Sequence, residues 1–126
     1  MLALATPASA LDVICPDATT QEVACVEAGV VIDCTNATTA FPSYLAMPVG
    51  SDSVPGVFYN HGGSGTQLGG DPVEAAGQLA CAGYVGYSKR RMGGPIADAL
   101  AEVEAGLVEL QTLASPRLDP ARLALM

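Results

Sequence analysis

Short apolar runs separated by turn residues mark the first part of the chain. Three of them have the length and composition of β-strands and cover Glu22 to Cys25, Val30 to Cys34 and Ser43 to Met47. The segment from Pro48 to Pro55 is rich in Gly, Ser and Asp, which is typical of a surface turn. The pattern therefore predicts that residues 11–53 are β-rich and form an antiparallel edge of a sheet.

From Val57 onward the pattern alternates between strand and helix. The apolar run Val57 to Tyr59 predicts a strand. Asp71 then stands as the N-cap of a helix with Pro72 at its first position and Glu74 three residues after the cap. Gly83 is placed to end this helix as a left-handed cap. The apolar face of the helix consists of Ala75, Ala76, Leu79 and Ala80.

A second strand and a longer helix come next. Tyr84 to Tyr87 is a short apolar run, and the residues after Pro95 carry an apolar stripe with helical spacing. The stripe consists of Ile96, Leu100, Val103, Leu107 and Leu110. Arg122 to Met126 has the composition of another buried strand. Strand, helix, strand, helix, strand is the pattern of βαβ units in a parallel sheet, so we predict an α/β fold.

Length and charge limit the classes of function. The chain has 126 residues, half of them apolar, which is room for one globular domain. Its formal net charge of −8 argues against nucleic acid, because binding a phosphate backbone needs a basic face. No apolar run approaches the roughly 20 residues of a membrane span. We expect neither a nucleic-acid nor a membrane partner.

The amino end has features of a secretory signal peptide. Leu2 to Ala5 is a short apolar segment, and Ala8-Ser9-Ala10 fits the small-residue cleavage pattern. The positively charged start is missing and the apolar segment is short, so an ordinary apolar terminus is the alternative. We expect residues 1–10 to be the remnant of a signal peptide and the protein to be secreted or periplasmic.

The four cysteines fit an exported protein. Cys15, Cys25, Cys34 and Cys81 allow three pairings. Because three of them lie in the first third of the chain, we expect one disulfide among Cys15, Cys25 and Cys34, and a buried free thiol at Cys81. No C-x-x-C pair occurs and His61 is the single histidine, so the sequence predicts no metal site.

The segment Val54 to Gly65, V-P-G-V-F-Y-N-H-G-G-S-G, carries the most chemical information. A strand that runs into a glycine-rich turn leaves backbone N–H groups free at the carboxyl end of a sheet, where open α/β sheets bind ligands. Such groups can hold an oxyanion, and the candidates are Gly62, Gly63 and Ser64, with His61 supporting the loop. The alternative is a plain β-to-α loop whose glycines serve only a tight turn.

Nucleotide binding is disfavoured by the composition of this loop. A P-loop requires G-K-[ST], and no lysine lies between His61 and the helix. A dinucleotide fingerprint requires G-x-G-x-x-G, whereas Gly63, Gly65 and Gly69 place the last glycine one residue too far. The second strand ends in Tyr87-Ser88-Lys89, without an acidic residue to hold a ribose. We expect no cofactor.

Four segments stand in an order that is characteristic of one superfamily. They are P-G-V-F-Y-N-H-G-G-S-G, then L-A-C-A-G-Y-V-G-Y-S, then the long amphipathic helix, and then L-D-P-A-R-L-A-L-M. This order resembles the α/β-hydrolases, and most closely their dienelactone-hydrolase-like and prolyl-oligopeptidase-like branch. The similarity covers residues 43–126, about two thirds of the chain.

The resemblance implies the amino-terminal half of an α/β-hydrolase sheet: antiparallel edge strands, then a parallel βαβαβ arrangement, in three layers. In the family the H-G-G loop supplies an oxyanion-hole donor, and the strand matching Arg122 to Met126 leads into the nucleophile elbow G-x-S-x-G. The given sequence contains no G-x-S-x-G, and the family's serine, acid and histidine would follow Met126. His61 belongs to the loop and not to the triad. We expect residues 11–126 to be a partial hydrolase domain, truncated before the elbow and without catalytic residues of its own.

Two function hypotheses follow. The first is a fragment of a secreted serine hydrolase that, in its full-length form, cleaves the ester, lactone or peptide bond of a small-molecule ester or peptide substrate. The fragment would be inactive alone. The second is a small secreted non-catalytic binding domain derived from the hydrolase fold. A nucleotide-binding module is a third and is disfavoured by the missing lysine and ribose acid.

Overall fold

The computed structural model describes residues 11–38, 42–60, 71–89, 96–114 and 117–126. Within them lie seven strands, two α-helices and one 3₁₀ turn. The strands are β1 (Leu11–Ile14), β2 (Thr20–Glu27), β3 (Val30–Ile32), β4 (Ser43–Ala46), β5 (Val54–Tyr59), β6 (Val85–Lys89) and β7 (Leu118–Leu125). The helices are α1 (Pro72–Cys81) and α2 (Ile96–Leu113), and the 3₁₀ turn is Cys34–Asn36.

The described strands form one mixed sheet. Its order is β1-β2-β4-β6-β5-β7, and β3 also pairs with β2. β2 runs antiparallel to β1, β3 and β4, and β4 runs antiparallel to β6. In the described part of the chain the parallel pairings are those of β5, with β6 on one side and β7 on the other. Because β6 and β7 lie on opposite sides of β5, the connection from β6 to β7 crosses over β5, and this connection contains α2.

The predicted fold class, a three-layer α/β arrangement in which antiparallel edge strands precede parallel βαβαβ, is wrong. Four of the six strand pairings among the described residues are antiparallel, and each face of the sheet carries one α-helix rather than a helical layer. The connections give the physical reason. A tight turn such as Ala28-Gly29, where both residues have positive φ, joins its strands antiparallel, whereas parallel neighbours need a long crossover.

α1 lies on one face of the sheet, against small residues. A Cβ on Gly86 of β6 would lie 2.2 Å from the carbonyl oxygen of Ala76, so only glycine lets the helix come this close. A Cβ on Gly77 of α1 would lie 2.5 Å from Val13 of β1. The core on this face consists of Val13, Val23, Ala46, Ala76 and Ala80. Close approach of backbones, rather than bulky side chains, therefore positions α1.

α2 lies on the opposite face, over the larger core. Successive residues of a strand point to opposite faces, so Gly86 meets α1 while its neighbour Tyr87 meets α2. A Cβ on Gly106 of α2 would lie 2.5 Å from Cε2 of Phe58. The buried cluster on this face consists of Val26, Leu45, Phe58, Val85, Tyr87, Leu110, Ala114 and Leu118.

β7 begins four residues earlier than the sequence predicts. Leu118 pairs with Val54, and the pairing then shifts before it resumes with Leu123 opposite Gly56. The strand accommodates Pro120 because the residue falls within this irregularity. Asp119 closes the local bend: its carboxylate accepts from Arg122 Nε at 2.8 Å and from the Ala121 backbone N–H at 3.0 Å. These two hydrogen bonds, the one from Arg122 first, lower the pKa of the Asp119 carboxyl below its usual value.

Candidate functional site

The candidate site is the edge of the sheet where the parallel strands end. β5 and β6 stop side by side, with Tyr59 in register with Ser88. Beside them, the backbone hydrogen bonding between β7 and β5 extends one residue past the end of β7. Met126 N–H donates to Phe58 O and Asn60 N–H donates to Met126 O, both at 2.9 Å. Asn60 is thus fixed by a backbone bond at the point where the chain leaves β5 for the glycine-rich segment.

Ser88 fixes the amino end of α1 at this same edge. Its side chain is fully buried, and its hydroxyl donates to the backbone carbonyl of Pro72 at 2.6 Å. Pro72 is the first residue of α1, so the helix begins above the carboxyl end of β6. A buried serine in a strand is costly unless its hydroxyl has a partner, and this bond supplies one. Ser88 is therefore a structural anchor and not a nucleophile.

Asp71 forms the N-cap that the sequence predicts. Its carboxylate accepts from the backbone N–H of Val73 at 2.9 Å and of Glu74 at 3.3 Å. This satisfies two of the N–H groups that a helix leaves free at its start. Gly83, with φ +98°, lies just past the other end of α1, so the predicted left-handed cap is also confirmed. The helix that follows the glycine-rich segment is thus defined at both ends.

The residues predicted to hold the oxyanion lie outside the described part of the chain. This applies to His61, Gly62, Gly63 and Ser64, and equally to the signal-like residues 1–10. The structure describes the residues on either side of this segment, Asn60 before it and Asp71 after it. Both belong to the carboxyl edge of β5 and β6.

A buried polar network lies next to this edge, on the α2 face. The Tyr87 hydroxyl donates to the Glu109 carboxylate and lies 3.1 Å from the Ser43 hydroxyl. Since a phenol has one proton, Ser43 donates to the Tyr87 oxygen in return. Burial, and then the bond to Glu109, raises the pKa of Tyr87 far above its usual value. Tyr87 is therefore held as a neutral donor that ties β6 to α2 and β4.

Sequence reasoning missed this network and the Ser88 anchor. Tyr87 is predicted only as part of an apolar run, and Glu109 lies outside the predicted apolar stripe of α2 and has no predicted role. A signal was nevertheless present, because Tyr87-Ser88 places two hydroxyl groups at the end of an otherwise apolar run. A polar group in a buried strand needs a partner, and each of these two has one.

An apolar depression of about 610 Å³ lies beside α1, along β5 and β7. Its walls are the side chains of Val57 on β5, Leu79 on α1 and Tyr84 just before β6, together with Ala124 and Met126. Tyr84 is 39% exposed and Met126 is 67% exposed, so the depression opens to solvent. Among the residues that the structure describes, Arg122 is the one charged residue at its border. The depression can take an apolar group, and its lining among the described residues contains no carboxylate, imidazole, thiol or serine hydroxyl.

All four cysteines form disulfides. Cys25 is bonded to Cys34 and Cys15 to Cys81. The prediction that Cys81 is a free thiol is therefore wrong: the end of α1 lies next to the end of β1, 66 residues earlier in the chain. The sequence could not show this proximity because it arises from the packing of α1 on β1. Two disulfides fit an oxidising location such as the periplasm or the extracellular space.

Within the described ranges, no group of three or more His, Cys, Asp and Glu side chains is placed to hold a metal ion. No helix in the described part is both long and apolar enough to cross a membrane. Comparison with protein families, with curated proteins and with solved structures found no match.

Proposed function

We propose that the chain is part of an exported serine hydrolase and supplies its oxyanion-binding loop, His61-Gly62-Gly63. One observation carries the proposal. The glycine-rich segment connects the carboxyl end of β5 to the amino end of α1, beside the parallel strand β6. Free backbone N–H groups at such an edge suit a negatively charged oxygen. The two disulfides support export to an oxidising compartment.

The chemistry assigned to the loop is electrostatic. When a serine oxygen adds to the carbonyl carbon of an ester, lactone or amide, the carbonyl oxygen gains the negative charge. The backbone N–H of Gly63, or of its neighbour Gly62 or Ser64, would donate to this oxygen. One such donor contributes about 10²–10³ to the rate in enzymes of this type. His61 would support the loop.

The 126 residues do not supply the other half of this chemistry. They contain one histidine, His61, and no G-x-S-x-G sequence. The buried hydroxyls of Ser43 and Ser88 already bond to Tyr87 and to the Pro72 carbonyl, so neither is available as a nucleophile. We therefore assign the serine, acid and base to residues outside these 126, and we expect no turnover from the 126 residues alone.

The first test is to read the encoding DNA beyond the codon for Met126. The proposal expects a G-x-S-x-G sequence directly downstream, followed by an aspartate or glutamate and then a histidine. The encoded protein should then react with a fluorophosphonate probe, whereas the 126-residue chain should not. A stop codon directly after Met126, or labelling of the isolated chain, would contradict the proposal.

In a protein that contains the elbow, Gly63→Pro tests the loop itself. Proline lacks the N–H group, so kcat should fall by about 10²–10³ if Gly63 donates to the oxyanion. Gly83→Pro is not a suitable control, because Gly83 has φ +98°. Val49→Pro, at a side chain that is 96% exposed, is the better control and should leave kcat unchanged.

A non-catalytic binding domain is the second candidate, and the apolar depression favours it. The described lining residues of the depression offer an apolar surface without catalytic groups, which suits binding rather than turnover. Titration of the 126-residue chain with an environment-sensitive apolar dye tests this candidate. Saturable binding that Ala124→Glu abolishes would support it, and dye binding that is unchanged by this substitution would count against it.

A further inference from the structure

One segment of the described chain has the sequence of a modification site. Asn36-Ala37-Thr38 is an N-x-[ST] triplet whose middle residue is not proline, and this is the acceptor sequence for an N-linked glycan. Asn60, the other asparagine among the 126 residues, is followed by His61-Gly62 and forms no such triplet. The sequence therefore singles out Asn36.

Asn36 lies on the surface, at the end of the 3₁₀ turn Cys34–Asn36 that follows β3. Both Asn36 and Thr38 are exposed. The backbone N–H of Asn36 donates to the carbonyl of Asp33 at 2.8 Å. In the described part of the chain the side-chain amide of Asn36 makes no hydrogen bond, so no protein acceptor competes for the nitrogen that a glycan would occupy.

Bonds on both sides of Asn36 hold the turn in place. Cys34, two residues before it, forms the disulfide with Cys25 of β2. Thr38, two residues after it, donates its N–H and its hydroxyl to the carboxylate of Glu27 at 2.8 and 2.7 Å. Because neither bond involves the side chain of Asn36, a bulky group attached there leaves both of them intact.

The turn is also far from the candidate site. The strands β2, β4 and β6 lie between β3 and β5 in the sheet. With about 4.8 Å between neighbouring strands, β3 is roughly 19 Å from β5. A glycan on the turn after β3 therefore starts well away from the edge where β5 and β6 end.

We propose that Asn36 is the acceptor of an N-linked glycan. The inference needs export, which the two disulfides support, and does not rest on the hydrolase function proposed above. In the reaction, Nδ2 of Asn36 forms a bond to C1 of the first sugar of a lipid-pyrophosphate-linked oligosaccharide. The bond between C1 and the pyrophosphate oxygen breaks, the lipid pyrophosphate leaves with the electron pair, and Nδ2 loses one proton.

Intact-mass spectrometry tests the proposal on the 126-residue chain, expressed behind a secretion signal in eukaryotic cells and recovered from the medium or from the secretory membranes. The wild type should carry a glycan mass that a peptide N-glycosidase removes, leaving aspartate at position 36. Asn36→Gln should lose this mass, because the triplet requires asparagine. Asn60→Gln is the matched control and should keep it.

Substitutions beside the acceptor separate the triplet from the structure of the turn. Thr38→Ser keeps a hydroxyl and should keep the glycan, whereas Thr38→Val has a similar shape without the hydroxyl and should lose it. Glu27→Gln weakens the bond to Thr38 but preserves the triplet, so the glycan should remain. An unmodified wild type, a glycan mass that persists in Asn36→Gln, or a loss in Glu27→Gln as complete as in Thr38→Val would overturn the proposal.

Discussion

The rings of Phe58 on β5 and Tyr87 on β6 meet edge to face, with their centroids 4.9 Å apart and their planes at 84°. The two residues are register partners in the parallel pairing of β5 with β6, and at most 1% of either is exposed. Above the Phe58 ring lies Gly106 of α2, and the Tyr87 hydroxyl reaches Glu109 of the same helix. This pair therefore fixes α2 on the sheet through both an apolar and a polar contact.

Tyr87→Phe should reveal the polar contact. At neutral pH we expect the free energy of unfolding to fall by about 1–3 kcal/mol, because Glu109 and Ser43 lose their common partner inside the protein. Chemical denaturation measures this loss directly. Tyr84→Phe, at a ring that is 39% exposed, is the matched control and should change the stability little. Equal losses in both variants would contradict the role given to Tyr87.

The same tyrosine makes the free energy of unfolding depend on pH in the alkaline range. Its pKa is raised in the folded state by burial and by Glu109, while an unfolded tyrosine titrates near pH 10. The stabilisation is therefore complete below about pH 10 and is lost as the pH rises further, by about 1.4 kcal/mol per pH unit for one group. Denaturation between pH 8 and pH 11.5 should show this decline in the wild type and in Tyr84→Phe, and a smaller decline in Tyr87→Phe. The same slope in all three proteins would contradict the prediction.

Gly86→Ala and Gly106→Ala should lower the free energy of unfolding by different amounts, because the added Cβ meets backbone at one position and a side chain at the other. A Cβ on Gly86 meets the backbone oxygen of Ala76, so α1 as a whole must move, and we expect a loss of about 3 kcal/mol or more. A Cβ on Gly106 meets the ring of Phe58, which can shift, and alanine also favours the helix. We expect a net loss of about 1–2 kcal/mol there. Thermal unfolding of both variants measures the difference.

A second substitution separates the two obstacles. Phe58→Leu makes room beside residue 106 and should reduce the cost of Gly106→Ala, so the two changes should not be additive. It should leave the cost of Gly86→Ala unchanged, because that contact lies on the other face of the sheet. If Phe58→Leu rescued Gly86→Ala as well, the assignment of the two helices to opposite faces would be wrong.

Local signals in the sequence predicted single elements better than their arrangement. Asp71 and Pro72 define the start of α1 because capping depends on neighbouring residues, and the structure confirms both. β7 was predicted to start only at Arg122, because Asp119-Pro120 has the composition of a turn. β1 was missed since Leu11 to Ile14 is short and carries Asp12. Val30 to Cys34 ends as a strand at Ile32, because Asp33 caps a 3₁₀ turn through the Thr35 N–H.

The arrangement of the sheet depends on contacts between distant residues, which periodicity does not contain. The antiparallel pairing of Tyr44 with Ser88 joins residues 44 positions apart. Such pairings make the sheet mostly antiparallel, whereas the sequence predicted antiparallel strands only at the edge of a parallel βαβαβ arrangement. The bond between Cys15 and Cys81 also joins distant residues. For the candidate site, the sequence predicted a loop between a strand and a capped helix. The contacts of Ser88 and Tyr87 could not be predicted, because they depend on how α1 and α2 pack on the sheet.

The two disulfides should contribute unequally to stability. Cys15–Cys81 closes a loop with a sequence separation of 66, and Cys25–Cys34 one with a separation of 9. In the chain-entropy model the first stabilises by about 4 kcal/mol and the second by about 3 kcal/mol, because a longer loop loses more freedom in the unfolded state. Paired substitutions, Cys15→Ala with Cys81→Ala and Cys25→Ala with Cys34→Ala, avoid free thiols and allow denaturation midpoints to be compared. A larger loss from the second pair would contradict this order.

Asp71 offers the last test, because it fixes the helix that follows the glycine-rich segment. Asp71→Ala leaves the N–H groups of Val73 and Glu74 without their acceptor, and we expect a loss of about 1 kcal/mol in the free energy of unfolding. Asp71→Asn keeps a capping oxygen and should cost much less, although it removes the same charge. Asp12→Ala, at an exposed residue of β1, controls for the charge. If Asp71→Asn were as costly as Asp71→Ala, attraction between the carboxylate and the helix dipole, and not the hydrogen bonds, would be the main contribution of this residue.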